Sequence, residues 1–159
     1  LGARNFASFS YTPRLDYQRL AVRLAAAIEL VQAETGAPTV DVVGHSLGGL
    51  VAPYLIEIAG EGAPVRRLVT PGAPYFASPL PERELAIFAA SDPFIPPPHP
   101  AYGPRHTVPS PNRVVVVPDC GHWGLLYHPA VLREAASFLV ATAPGIELAP
   151  PATLALEAS

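Results

Sequence analysis

The residues best suited to chemistry lie in one run, Gly44-His45-Ser46-Leu47-Gly48, a serine with glycine two positions away on each side. A serine hydroxyl is a weak nucleophile until a neighbouring base takes its proton. Access is the other requirement, and the glycines answer it. A chain that turns sharply from strand into helix lifts the serine above the sheet edge, and small residues let the backbone segments meet there. The amide of Leu47 would then face the oxygen on which negative charge develops, near the positive end of the helix dipole. With Gly at roughly 7% of residues, chance produces this spacing in roughly one chain in twenty of this length. Its neighbours therefore decide its meaning, and they fit: Thr39 to Val43 is a β-branched run, and Leu47 to Ala59 has apolar residues at helical spacing.

Activation of Ser46 calls for a histidine, and the histidine for an acid, in the chain order serine, acid, histidine. Asp92 directly follows the apolar run Leu85 to Ala90, and His122 follows Val114 to Val117 in the turn Asp119-Cys120-Gly121-His122. Taken singly, Asp92 before Pro93 is an ordinary turn residue and His122 an ordinary loop or core histidine. Both lie just after predicted strands and in the required order, which favours a triad. Asp119 is too close in sequence to reach the correct ring nitrogen, and Asp41 lies inside the strand, facing a helix. His45 points away from Ser46 but borders the site, and with Phe94 and Trp123 it is a candidate substrate contact. His99, His106 and His128 follow no strand and are placed in loops or at a helix start. Cys120 is expected to be a small buried residue, and no spacing suggests a metal site.

Several elements must position these groups. Asn5 to Tyr11 alternates like a strand, ended by Thr12-Pro13. A helix from Asp16 follows, with Leu20, Leu24, Ile28 and Val31 on one stripe, stopped by Gly36 and Pro38. Thr39–Val43, Val65–Thr70, Leu85–Ala90 and Val114–Val117 are predicted strands, and Leu47–Ala59 and Pro129–Val140 predicted helices. Pro53 should kink the second helix or make its second turn irregular, because a mid-helix proline costs about 3 kcal/mol. Pro93 to Asn112 is a proline-rich loop. Strands apolar on both faces and separated by helices imply an α/β fold, a mainly parallel sheet covered on both sides. One domain over residues 1–143 and a flexible tail over 144–159 account for the 159 residues.

Half of the chain is apolar and 14% is charged, as in a globular protein. A net charge of −3 gives no electrostatic case for nucleic acid or an anionic membrane, and no apolar run is long enough to span a bilayer. The single cysteine excludes an internal disulfide and leaves the redox compartment open. No signal peptide is visible, but the chain starts at Leu1 and contains no Met, so secretion is left open.

Together these segments resemble the α/β-hydrolase superfamily, in particular bacterial triacylglycerol lipases and related esterases. The resemblance is carried by Asp41 to Leu50 around Ser46, by Glu34-Thr35-Gly36-Ala37, by Thr70-Pro71-Gly72-Ala73-Pro74, by Asp92 to Pro97 and by Gly121 to Tyr127. It implies carboxylic ester hydrolysis through an acyl-enzyme, with Ser46, His122 and Asp92 as the triad and the Leu47 amide as oxyanion donor. A small-molecule ester or lipid would be the substrate, and no cofactor would be needed. The His-Gly turn that carries the family's second oxyanion amide is not seen ahead of Asn5, nor are the opening strands. Pro74 to Leu85 is too short for a large helical cap. Acyl transfer or thioester cleavage by the same triad, and an impaired fragment or binding module, are the alternatives.

Overall fold

The computed structural model describes residues 6–12, 16–74, 83–97 and 113–140. Helix α1 spans Tyr17–Thr35. The Asp16 carboxylate accepts from the Arg19 amide at its start, and Gly36, at φ 71°, closes its end by donating to the Gln32 carbonyl. Its stripe of Leu20, Leu24 and Ile28 is buried, each side chain contributing about 1.5–3 kcal/mol by leaving water.

Strand β1 (Val40–Val43) leads into a 3₁₀ turn at Ser46–Leu50 and then helix α2 (Val51–Ala59). Pro53 lies in the first turn of α2, where its missing N–H has no intrahelical partner to lose. Of the expected kink or irregular turn, the structure shows the irregularity, a change of helix type ahead of the proline. Strands β2 (Val65–Pro71), β3 (Glu84–Ala89) and β4 (Arg113–Val117) follow, then a 3₁₀ turn at His122–Leu126 and helix α3 (Pro129–Val140).

The four strands pair in parallel in the order β1-β2-β3-β4. Successive residues of β2 feed two cores. Leu68 packs with α1 and α2, while Val69 joins Leu85, Ile87, Val117 and Val131 on the face of α3. Helices on both faces leave all six residues of β3 buried, as a central parallel strand requires.

Phe6–Thr12 forms no strand, contrary to the alternation of that segment. Phe9 and Tyr11 instead pack against the α1/α2 core with ring centroids 5.8 Å apart. Half-burying alternate aromatics satisfies the pattern without a hydrogen-bonded ladder. Asn5, His99, His106, most of the Pro93–Asn112 loop, the 75–82 part of the short Pro74–Leu85 stretch and the 144–159 tail lie outside the described residues. No described helix is long and apolar enough to cross a membrane.

Candidate active site

The geometry around Ser46 begins with the end of β1, which is tied to β2 by the Gly44 amide donating to the Val69 carbonyl at 3.0 Å. The turn holds Ser46 at φ 54°, a left-handed conformation that side chains seldom adopt. Gly44 is required, because a Cβ there would lie 2.6 Å from the Gly48 carbonyl oxygen. At Gly48 the nearest atom would be the Tyr11 hydroxyl at 3.0 Å. Gly49, which the motif reading passed over, is more constrained, with a Cβ falling 2.5 Å from that of Ala73. The Leu47 amide belongs to the first turn of the 3₁₀ segment, where N–H groups have no partner within the helix.

The acid is placed by the junction of β3 and β4. The Ala90 and Ser91 amides donate to the carbonyls of Val117 and Cys120, so the two strand ends and their turns are bound together. Asp92 then uses its oxygens separately. Oδ1 accepts from the amides of Phe94 and Ile95 at 2.8 and 2.9 Å, and Oδ2 faces His122 Nδ1 at 2.6 Å. Its side chain is fully buried and that of His122 is 5% exposed. Burial pushes the Asp92 carboxyl up, but the bonds from the Ile95 amide, the His122 ring and the Phe94 amide outweigh it and hold the group below its ordinary value. An ionised Asp92 makes Nδ1 the donor, which leaves Nε2 to accept from Ser46 Oγ at 2.9 Å. The hydrogen-bonded chain runs unbroken from hydroxyl to imidazole to carboxylate, the arrangement that lets a base remove a serine proton and an acid steady the resulting imidazolium.

Gly72 makes room for this ring. At φ 57°, it would carry a Cβ 2.8 Å from Leu125 Cδ1 and 3.3 Å from the His122 ring. The turn Thr70-Pro71-Gly72 was visible in the sequence, but its purpose was not.

Of the remaining candidates, Phe94 and Trp123 both meet the His122 ring edge-on, with centroids 5.4 Å away in each case. Both are largely exposed, as are Leu47, Leu126 and Tyr127. Phe94, Asp119, His122, Trp123 and Tyr127 line an open cleft of about 390 Å³. His45 Nε2 lies 3.1 Å from the His122 carbonyl, and its ring centroid is 4.8 Å from that of His122. His45, expected to point away from Ser46 while bordering the site, thus packs its ring on that of His122. Asp119 lines the cleft while Nδ1 of His122 is occupied by Asp92. His128 accepts from the Ala130 amide at the start of α3.

Cys120 is buried, and burial, reinforced by the Asp92 charge, pushes its thiol up, away from the thiolate. Asp41 accepts from Arg66 and Arg67, and Arg67 also donates to the Phe138 carbonyl of α3, so this acid belongs to a strand–helix tie remote from Ser46. Among the described residues, no group of three or more His, Cys, Asp or Glu is arranged to hold a metal.

No protein-family model and no curated protein matches the sequence. Solved structures do match. An α/β serine hydrolase without a lid from Xanthomonas campestris is 18% identical with a TM-score of 0.59, over 91% of this chain and 66% of that one. A thermophilic esterase from Thermogutta terrifontis is 14% identical at a TM-score of 0.59, over 87% of this chain and 77% of its own. An α/β hydrolase from a lagoon-sediment metagenome is 16% identical at a TM-score of 0.53, over 76% and 69%. The chain thus spans about two thirds to three quarters of the length of these neighbours. Parallel strands in sequential order with helices on both faces make one architecture, and this chain has the fold of the α/β hydrolases.

Proposed function

We propose that this protein hydrolyses carboxylic esters, with Ser46 as nucleophile. The observation that carries the reading is the hydrogen-bonded chain Ser46 Oγ–His122–Asp92, with separations of 2.9 and 2.6 Å. Fold alone does not select a reaction, since one scaffold hosts many chemistries.

In this reading Ser46 Oγ attacks the ester carbonyl as His122 Nε2 takes its proton, and Asp92 stabilises the imidazolium. The oxyanion forms against the Leu47 amide at the start of the turn. Collapse of the tetrahedral intermediate breaks the bond to the alcohol oxygen, which leaves with the proton from His122. The cleft beside His122 would receive that alcohol, and its aromatic lining suits an apolar or lipid-like group. Water then attacks the acyl-enzyme, giving up a proton to His122, and the acid departs as Ser46 is restored. The exposure of Phe94 and Trp123 leaves the site open to water, which favours hydrolysis over transfer to another acceptor.

A fluorophosphonate probe should label the protein at Ser46, and p-nitrophenyl butyrate turnover should vanish in Ser46→Ala. A folded protein that resists the probe, or turnover unchanged in Ser46→Ala, would refute the proposal.

A further inference from the structure

We infer that His45 is a positioning residue, which locks the His122 loop onto the nucleophile strand through its Nε2–H. The role rests on the ester hydrolase reading for its activity readout, but the geometry stands apart from it. His45 immediately precedes Ser46, so two adjacent residues hold His122 at two points. The Ser46 hydroxyl meets the His122 ring at 2.9 Å, and the His45 ring meets the His122 backbone carbonyl at 3.1 Å. These contacts join segments 77 and 76 residues apart in sequence.

The chemistry of the pair fixes the direction. A carbonyl oxygen only accepts, so His45 Nε2 must carry the hydrogen. His45 in its neutral form then has an unprotonated Nδ1, a single tautomer chosen by this bond. The ring is held in place on two sides, tilted against His122 with centroids 4.8 Å apart and against Trp123 at 5.7 Å. Partial burial, together with the nearby His122 ring, holds the His45 pKa below its ordinary value even though the carbonyl bond and Asp92 act in the other direction. A neutral ring is also what the reaction needs, because a cation there would oppose the charge that His122 acquires.

A substrate contact would act differently. His45 Nε2 already points into the protein, so its loss should change how often Ser46 and His122 are aligned and leave substrate affinity alone. Reacting groups displaced by about an ångström lose on the order of a hundredfold in rate. His45→Leu should therefore lower kcat for p-nitrophenyl butyrate about tenfold or more with KM nearly constant. His45→Gln, whose amide can donate to the same carbonyl, should recover most of that loss.

Nitrogen NMR of the unmodified protein provides a test that needs no variant to fold. At neutral pH, His45 should show the Nε2-protonated neutral tautomer, whereas a protonated Nδ1 with bare Nε2 would overturn the inference. Unchanged kcat in His45→Leu, equal losses in the Leu and Gln variants, or a loss confined to KM would overturn it as well. Each of these is scored with wild-type turnover confirmed and abolished in Ser46→Ala, so failure of the hydrolase reading is seen separately.

Discussion

The left-handed backbone at Ser46 has a measurable energetic consequence. An L-residue in this region costs roughly 1–2 kcal/mol relative to the right-handed one, while glycine enters it without that penalty. Ser46→Ala and Ser46→Gly both remove the hydroxyl, so the lost bond to His122 cancels between them and the 54° φ is the term that differs. Glycine loses more freedom on folding, which takes back about 0.4–1 kcal/mol. The glycine variant should thus be more stable by about 0.5–1 kcal/mol. For a chain of this length about 1 kcal/mol shifts the melting temperature by about 2–4 °C, so Ser46→Gly should melt about 1–4 °C above Ser46→Ala. Gly36 provides the calibration, because at φ 71° it has nothing within 4 Å of an added Cβ. Gly36→Ala therefore reads the backbone penalty without a steric one. Differential scanning calorimetry on all three variants decides the matter. If Gly36→Ala destabilises while the two Ser46 variants melt together, the serine turn stores no strain and the reasoning fails.

Two further predictions concern packing and charge. Gly49→Ala places a Cβ 2.5 Å from that of Ala73 and 2.9 Å from the Gly44 carbonyl oxygen, and should cost about 1–3 kcal/mol and slow fluorophosphonate labelling. In urea titrations of both variants, Gly62→Ala, with open space around it, should be near neutral, and equal effects would contradict the packing argument. Stability should also fall on acidification in two windows. The His45 pKa is lowered in the fold, so below about 6.5 the unfolded chain takes up protons that the folded one resists, and stability drops as pH falls until the folded group titrates too. Asp92 and Asp41 are likewise lowered, so their contribution is present above about 3.8 and is lost as pH falls through their folded values. Urea midpoints between pH 8 and 3 should lose the upper slope in His45→Gln and part of the lower slope in Asp92→Asn; unchanged slopes would refute the assignment.

Much of this protein was legible in local sequence. Apolar residues at helical spacing marked α1 and α3, and β-branched and apolar runs marked all four strands within a residue or two. Periodicity suffices for α1 because its stripe of Leu20, Leu24 and Ile28 is buried, whereas in α3 Val131 and Val140 are buried and Leu132 is exposed. Ser46, Asp92 and His122 were also legible, since each follows a strand and the turn chemistry is written in adjacent residues. Phe6–Thr12 misled for the converse reason: alternation records which side chains turn toward the core, not whether a ladder forms, and Phe9 and Tyr11 pack half-buried against the core without one.

Only the tertiary structure decided how the ends of β1, β3 and β4 converge, because hydrogen bonds between Ser46, His122 and Asp92 span 76 and 30 residues that no local pattern connects. It also decided the partners that hold them. Gly49 must be small because Ala73 lies against it, and Gly72 because Leu125 and the His122 ring do. His45 read in the sequence as a substrate contact bordering the site, and the fold places its ring against the histidine loop. Sequence determines which side chains can do chemistry and on which element each sits. Distances of a few ångströms between elements remote in sequence come only from packing the two cores on either face of the sheet.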